Sequence, residues 1–121
     1  MSSFLQQRFL ALLVAALVAL SSCGQNEVTV KYRDSSVPVH DSSYFVSLGR
    51  DPAPTVKNAW YDSSENYMVI TLKSTNYHYC LFPPAKWNAL KKASSMDSYY
   101  LRNIKGKYDC RAGNGKYVPK Y

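Results

Sequence analysis

Tyr67-Met68-Val69-Ile70-Thr71-Leu72-Lys73 decides the fold. Met68, Ile70 and Leu72 alternate with Tyr67, Val69, Thr71 and Lys73, the period-two pattern of a strand with an apolar face. The turn-forming run Asp62-Ser63-Ser64-Glu65-Asn66 precedes it, and a second apolar strand, Val56 to Tyr61, precedes that run. Downstream, Ser74-Thr75-Asn76 turns the chain into a third strand, Tyr77 to Phe82. In that strand Tyr77, Tyr79 and Leu81 share one face, and His78, Cys80 and Phe82 the other. Links this short favour an antiparallel meander. Pro83-Pro84 ends the sheet and opens a helix, because a first helical turn does not need the donor that proline lacks. Trp87 and Leu90 fall at helical spacing with Lys86, Lys91 and Lys92 toward solvent, and the helix ends near Ser95. Asp97 is the expected N-cap of a second helix, Ser98 to about Lys105, with Tyr100, Leu101 and Ile104 inward and Gly106 as its stop. The expected class is α+β: a three-stranded antiparallel meander packed by two C-terminal helices, with an extended N-terminal segment.

The flanks are less patterned. Val28 to Tyr32 reads as a short strand, the Ser-, Asp- and Pro-containing run from Asp34 to Ser43 as a loop, and Tyr44 to Leu48 as a further extended piece. Asp51-Pro52-Ala53-Pro54 breaks regular structure before the compact domain. Residues 112–121, with glycines, a proline and scattered lysines, are expected to fray as a flexible tail.

At the other end, Arg8 precedes an uncharged apolar run, Phe9 to Leu20, shorter than the about 20 residues of a membrane span and suited to a secretory signal. Leu20-Ser21-Ser22-Cys23 then resembles the lipobox of bacterial lipoproteins. The resemblance implies a signal peptide over 1–22, cleavage after Ser22, a diacylglyceryl thioether on Cys23 and an acylated (palmitate-type) amine. That makes 23–54 a tether and extended segment, held at a membrane. The location it implies is the cell envelope facing the periplasm, with the outer membrane favoured because no Asp follows Cys23.

Removing 22 of 121 residues leaves 99, enough for one small domain. Its charge is lopsided. Five basic residues face six acidic ones between Cys23 and Ala85, whereas nine basic face two acidic between Lys86 and Tyr121. Lys86, Lys91, Lys92, Arg102, Lys105 and Lys107 are therefore the candidate contacts for an anionic partner: anionic lipid, lipopolysaccharide or cell-wall polymer. A solvated basic face without a partner is the simpler alternative. Export argues against nucleic acid.

The ordered set of strands and helices carries words of a known domain. Tyr61-Asp62, Tyr77-His78-Tyr79, the proline after the third strand, Ala93-Ser94-Ser95 and Ile104-Lys105-Gly106-Lys107-Tyr108 together resemble the KTSC domain over about 55–111. Met96 and Asp97 depart from its usual small residue and glycine. The resemblance implies the fold, with Tyr77 and Tyr79 as family motif, and little mechanism. The domain is named from the end of some lysyl-tRNA synthetases, has no established activity, and is only conjectured to bind RNA.

With Cys23 lipidated, Cys80 and Cys110 remain, and an even pair in an oxidising compartment reads as a disulfide, two buried thiols being the alternative. Free thiols would admit a Cys80–His78 dyad for a hydrolase or redox protein, or a zinc site with Cys110 and His40. Neither has a diagnostic motif. Asp62, Glu65, Asp97 and Asp109 show no paired spacing, and no phosphate loop or nucleophile motif is present. The expected protein is thus a non-enzymatic, membrane-anchored interaction domain without cofactor, metal or catalytic residues. Tyr77 and Tyr79 are expected in the core rather than as a stacking platform.

Overall fold

The computed structural model describes residues 26–113 and 115–121. The expected signal peptide 1–22 and the lipidation site Cys23 lie outside the described residues. Among those described, no helix is long and apolar enough to cross a membrane.

Four strands form one antiparallel sheet in chain order, β1 (Val46–Ser47), β2 (Val56–Asp62), β3 (Tyr67–Leu72) and β4 (Thr75–Tyr79). The class α+β and the meander hold, but the sheet has four strands rather than three. The extra one is the extended piece around Phe45, where Val46 pairs with Tyr61 and Ser47 with Trp60. The β2–β3 turn is built by Asp62, whose carboxylate accepts from the amide and hydroxyl of Ser64 (3.0 and 2.6 Å), and it closes through left-handed Asn66 (φ 49°). Leu72 pairs with Thr75, so β4 begins two residues before the expected start. The tight turn uses Lys73 at φ 57°.

Two departures from strict alternation set the core. A register shift between Val56 and Asn58 lets Val56, Ala59 and Tyr61 all face the helices, while Trp60 faces away. At Leu81 the backbone turns left-handed (φ 54°), which takes Leu81 and Phe82 off their expected faces while Tyr77, Tyr79 and Cys80 keep theirs. Phe82 joins the helix-side core, and Leu81 is left exposed.

On the helix side, α1 (Pro84–Lys92) lays Trp87 and Leu90 against the sheet, and Trp87 stacks on Tyr61 with ring centroids 5.2 Å apart. Its C-terminal carbonyls are capped by Arg50, which donates to the carbonyls of Leu90 and Lys91 (3.1 and 3.0 Å). In α2 (Met96–Asn103) the N-cap is Ser95, not Asp97. Asp97 reaches instead to the start of β2, accepting from the amides of Thr55 (3.0 Å) and Val56 (2.8 Å). Met96, Tyr100 and Ile104 make the buried stripe at intervals of four, so Leu101, expected inside, lies off it and is 59% exposed.

The other sheet face is covered too, which the alternation in 67–73 did not reveal. Val30, Val37, Val39 and Phe45 form a second core with Trp60, Tyr67, Val69 and the buried Cys80 and Cys110. The expected extended segment from Val28 onward is therefore a packed cover of this face. Its only bridge is Val28 to Val37, so Val28 to Tyr32 is not a regular strand. The expected flexible tail also returns to the sheet. Val118 packs against the second core, and the Tyr121 hydroxyl donates to the buried Asp62 carboxylate at 2.8 Å. Aromatic contact explains the docking, since the Tyr121 ring lies 5.4 Å from Phe45 and 5.2 Å from Tyr44.

Candidate binding groove

β4 is the outer strand of the sheet, and two chain segments close its edge from opposite ends. The Lys31 amide donates to the Asn76 carbonyl (2.8 Å), and the Cys80 amide to the Tyr108 carbonyl (2.8 Å). Between these covers lies His78. Each covering segment turns through a left-handed tyrosine, Tyr32 (φ 67°) and Tyr108 (φ 60°). A bulky residue in that conformation costs on the order of 1 kcal/mol or more, and both are held by their rings. Tyr108 packs on Phe82 (5.4 Å), and Tyr32 carries the Arg111 guanidinium 3.8 Å from its ring centroid.

Cys80 and Cys110 are joined by the expected disulfide, with Cα atoms 5.0 Å apart, which ties β4 to the segment carrying Asp109 and Arg111. With both thiols bonded, neither cysteine offers a thiolate to a substrate or metal. Among the described residues no group of three or more His, Cys, Asp or Glu is placed to hold a metal ion.

A groove of about 530 Å³ opens along this edge toward α2. Tyr77 and Tyr79 line it from the sheet, Lys73 from the β3–β4 turn, Lys105 from the end of α2, and Arg111 from beside the disulfide. Tyr79 is buried and shares a 3.0 Å hydrogen bond with Tyr100, so burial and that bond raise its pKa. Tyr77 is half-buried against the helix-side core, with Lys31 over its ring at 5.7 Å. Arg111 pairs with Asp109 at 2.8 Å, and this bonding lowers the Asp109 pKa and raises that of Arg111. The cation is thereby fixed between a carboxylate and an aromatic face while its side chain stays 54% exposed.

His78 forms part of the groove wall and is only 6% exposed. Its Nδ1 lies 2.8 Å from the Tyr67 hydroxyl, which also accepts from Arg33 at 3.4 Å. Burial pushes the Tyr67 pKa up to about 12. The assignment leaving fewest polar groups unpaired has Tyr67 donating to Nδ1 and the imidazole proton on Nε2, since the reverse would strand both the Tyr67 proton and the Nε2 lone pair. Burial, reinforced by Arg33, holds the His78 pKa down to about 4, so the ring is neutral at pH 7. Nε2 is buried and has no hydrogen-bond partner among the described residues. Strand alternation alone does not require His78 to be buried; it is enclosed because the N-terminal segment and tail cover this face of the sheet.

Of the six cations singled out in the sequence, Lys105 lines the groove. Lys86, Lys91 and Lys92 lie on α1, Arg102 borders a separate hollow beside Ser98, and the Lys107 ammonium donates to the Arg102 carbonyl at 3.5 Å. Lys73 and Arg111, which complete the groove, were not among the six. Only their position after a strand and after Cys110 hinted at them.

The arrangement is that of a small α+β domain with an open, cation-lined groove at a sheet edge. Residues 55–108 match the KTSC domain, and the chain carries that domain of unknown function. No curated protein and no solved structure matches the chain significantly.

Proposed function

We propose that the protein is a lipid-anchored envelope component whose KTSC domain acts as a non-enzymatic module for anionic envelope surfaces. The observation that carries this reading is unneutralised charge. Lys86, Lys91, Lys92, Arg102, Lys105 and Lys107 form no ion pair with any other described residue. Lys92, Arg102, Lys105 and Lys107 are exposed and Lys86 and Lys91 partly so, which leaves these cations available to an anionic surface at modest desolvation cost. The apolar run before Leu20-Ser21-Ser22-Cys23 supports export and acylation at Cys23. Two or more acyl chains anchor stably where one binds reversibly. An anchor then holds a weakly binding domain at high effective concentration beside its surface. Export with acylation supports attachment facing the periplasm, and the absence of Asp after Cys23 favours the outer membrane where one exists.

Two measurements test this. Cys23→Ala abolishes incorporation of a fatty-acid analogue, and labelling that persists in the variant refutes the anchor. Cosedimentation with anionic vesicles weakens as salt rises, and replacing Lys91, Lys92, Lys105 and Lys107 together with Gln reduces it without unfolding. Equal sedimentation of the two proteins, or indifference to salt, refutes the surface reading.

A further inference from the structure

We infer that the groove at the β4 edge is a phosphate-group site, with the Nε2–H of His78 as its buried donor and Lys73, Lys105 and Arg111 as its charged rim. The inference rests on the anionic-surface reading and names the ligand chemistry and place of contact. Three observations carry it. First, His78 lines an open groove while its Nε2 is buried with no partner among the described residues, an arrangement that costs stability unless something accepts from it. Second, the rim collects three cations from separate parts of the chain, and Asp109 is already engaged by Arg111 through contacts of 2.8 to 3.2 Å. Third, the guanidinium is held in position before any ligand arrives, so little side-chain entropy is lost when an oxyanion binds.

The same features select among ligands. A metal ion would meet three cations and a protonated nitrogen. A nucleobase or sugar ring would need a free aromatic face, but Arg111 occupies a face of Tyr32, and Lys31 lies over Tyr32 and Tyr77 (5.1 and 5.7 Å). A phosphate group has several acceptor oxygens for donors converging from different directions and carries the charge the rim lacks. It could be a free phosphate or the head group of a lipid in the surface beside the anchor.

Imidazole-detected NMR of the full-length chain in non-ionic detergent distinguishes these. The chain has two histidines, and His40→Gln assigns the signals. In the free protein His78 shows the neutral Nε2–H form. Inorganic phosphate shifts that resonance saturably, and exposed Lys105→Gln combined with Lys73→Gln weakens the apparent affinity about tenfold while the spectrum stays folded. Bicelles doped with phosphatidylglycerol produce the same shift, and undoped bicelles do not, if the source is a lipid head group. A response to inorganic phosphate with none to doped bicelles identifies a free phosphate and keeps the site. A His78 resonance unmoved by both probes, or a double variant that titrates like wild type, overturns the site. Salt-dependent vesicle sedimentation that survives such a result would leave the surface reading standing by itself, and loss of sedimentation with an intact phosphate response would do the reverse.

Discussion

Removing the Cys80–Cys110 disulfide should be among the most costly changes the domain can suffer, and its size follows from the topology. The bridge spans 30 residues, from the end of β4 through both helices to the segment that covers the β4 edge. In the chain-entropy relation a loop of that length loses about 12 cal/mol/K when cross-linked in the unfolded state, or roughly 3.6 kcal/mol at 25 °C. A small domain has only about 5 to 15 kcal/mol in total. Cys80→Ala, Cys110→Ala and the double variant should lose nearly the same amount, because either replacement removes the whole constraint. Alanine is the appropriate probe. Both positions are buried in the second core, where a serine hydroxyl would add a polar penalty of its own. With a urea m-value of about 1 to 1.5 kcal/mol/M, the midpoint should fall by about 2.4 to 3.6 M. Urea titration of wild type and the three variants, with intact mass and alkylation under non-reducing conditions, measures both the effect and its cause. Two alkylatable thiols in the folded protein, or single variants whose losses add in the double variant, would refute the reasoning.

Trp87→Ala should cost roughly 3 to 5 kcal/mol, since the indole is buried and stacked on Tyr61, whereas Lys91→Ala should change little; equal denaturation midpoints would mean α1 is turned differently. Asp97→Ala should cost about 2 to 3 kcal/mol by leaving the amides of Thr55 and Val56 without their charged acceptor, and a midpoint within 0.5 kcal/mol of wild type, by the ordinary scale of surface changes, would show that α2 is not clamped to β2 through this side chain. His78 makes stability depend on pH. Its folded pKa is about 4 against 6.5 for the free group, so the unfolded chain takes up the proton first as pH falls. Stability from the neutral imidazole is whole above pH 6.5 and declines toward pH 4, by up to about 3 kcal/mol at 1.36 kcal/mol per unit. Urea midpoints at pH 7 and 4.5 should therefore diverge more for wild type than for His78→Gln, and parallel losses in the two proteins would assign the pH dependence to other groups.

Short-range chemistry was legible in the chain itself. Alternation placed β3, the Asp-Ser-Ser run placed the turn before it, Pro83-Pro84 placed the start of α1, and the spacing of Trp87 and Leu90 gave that helix its inward face. These signals survive because each depends on neighbours within a turn or a strand. The cysteine pairing was legible for a different reason: two remaining cysteines leave one intramolecular partner. The KTSC words likewise identified the domain without contacts. What sequence patterning could not decide was set by residues far apart in the chain. Side-chain phase was altered by the shift at Val56/Asn58 and by the left-handed turn at Leu81, local irregularities that redirect the side chains beside them while leaving composition untouched. The second core required the N-terminal segment and tail to return across the sheet, and only that return buries His78, engages Asp62 with Tyr121 and sets Arg111 on Tyr32. Asp97 had the right chemistry for a cap, but the amides within its reach belong to Thr55 and Val56, about forty residues away. The groove is tertiary for the same reason: its cations come from a hairpin turn, a helix end and a disulfide-tethered segment, and no sequence spacing relates them.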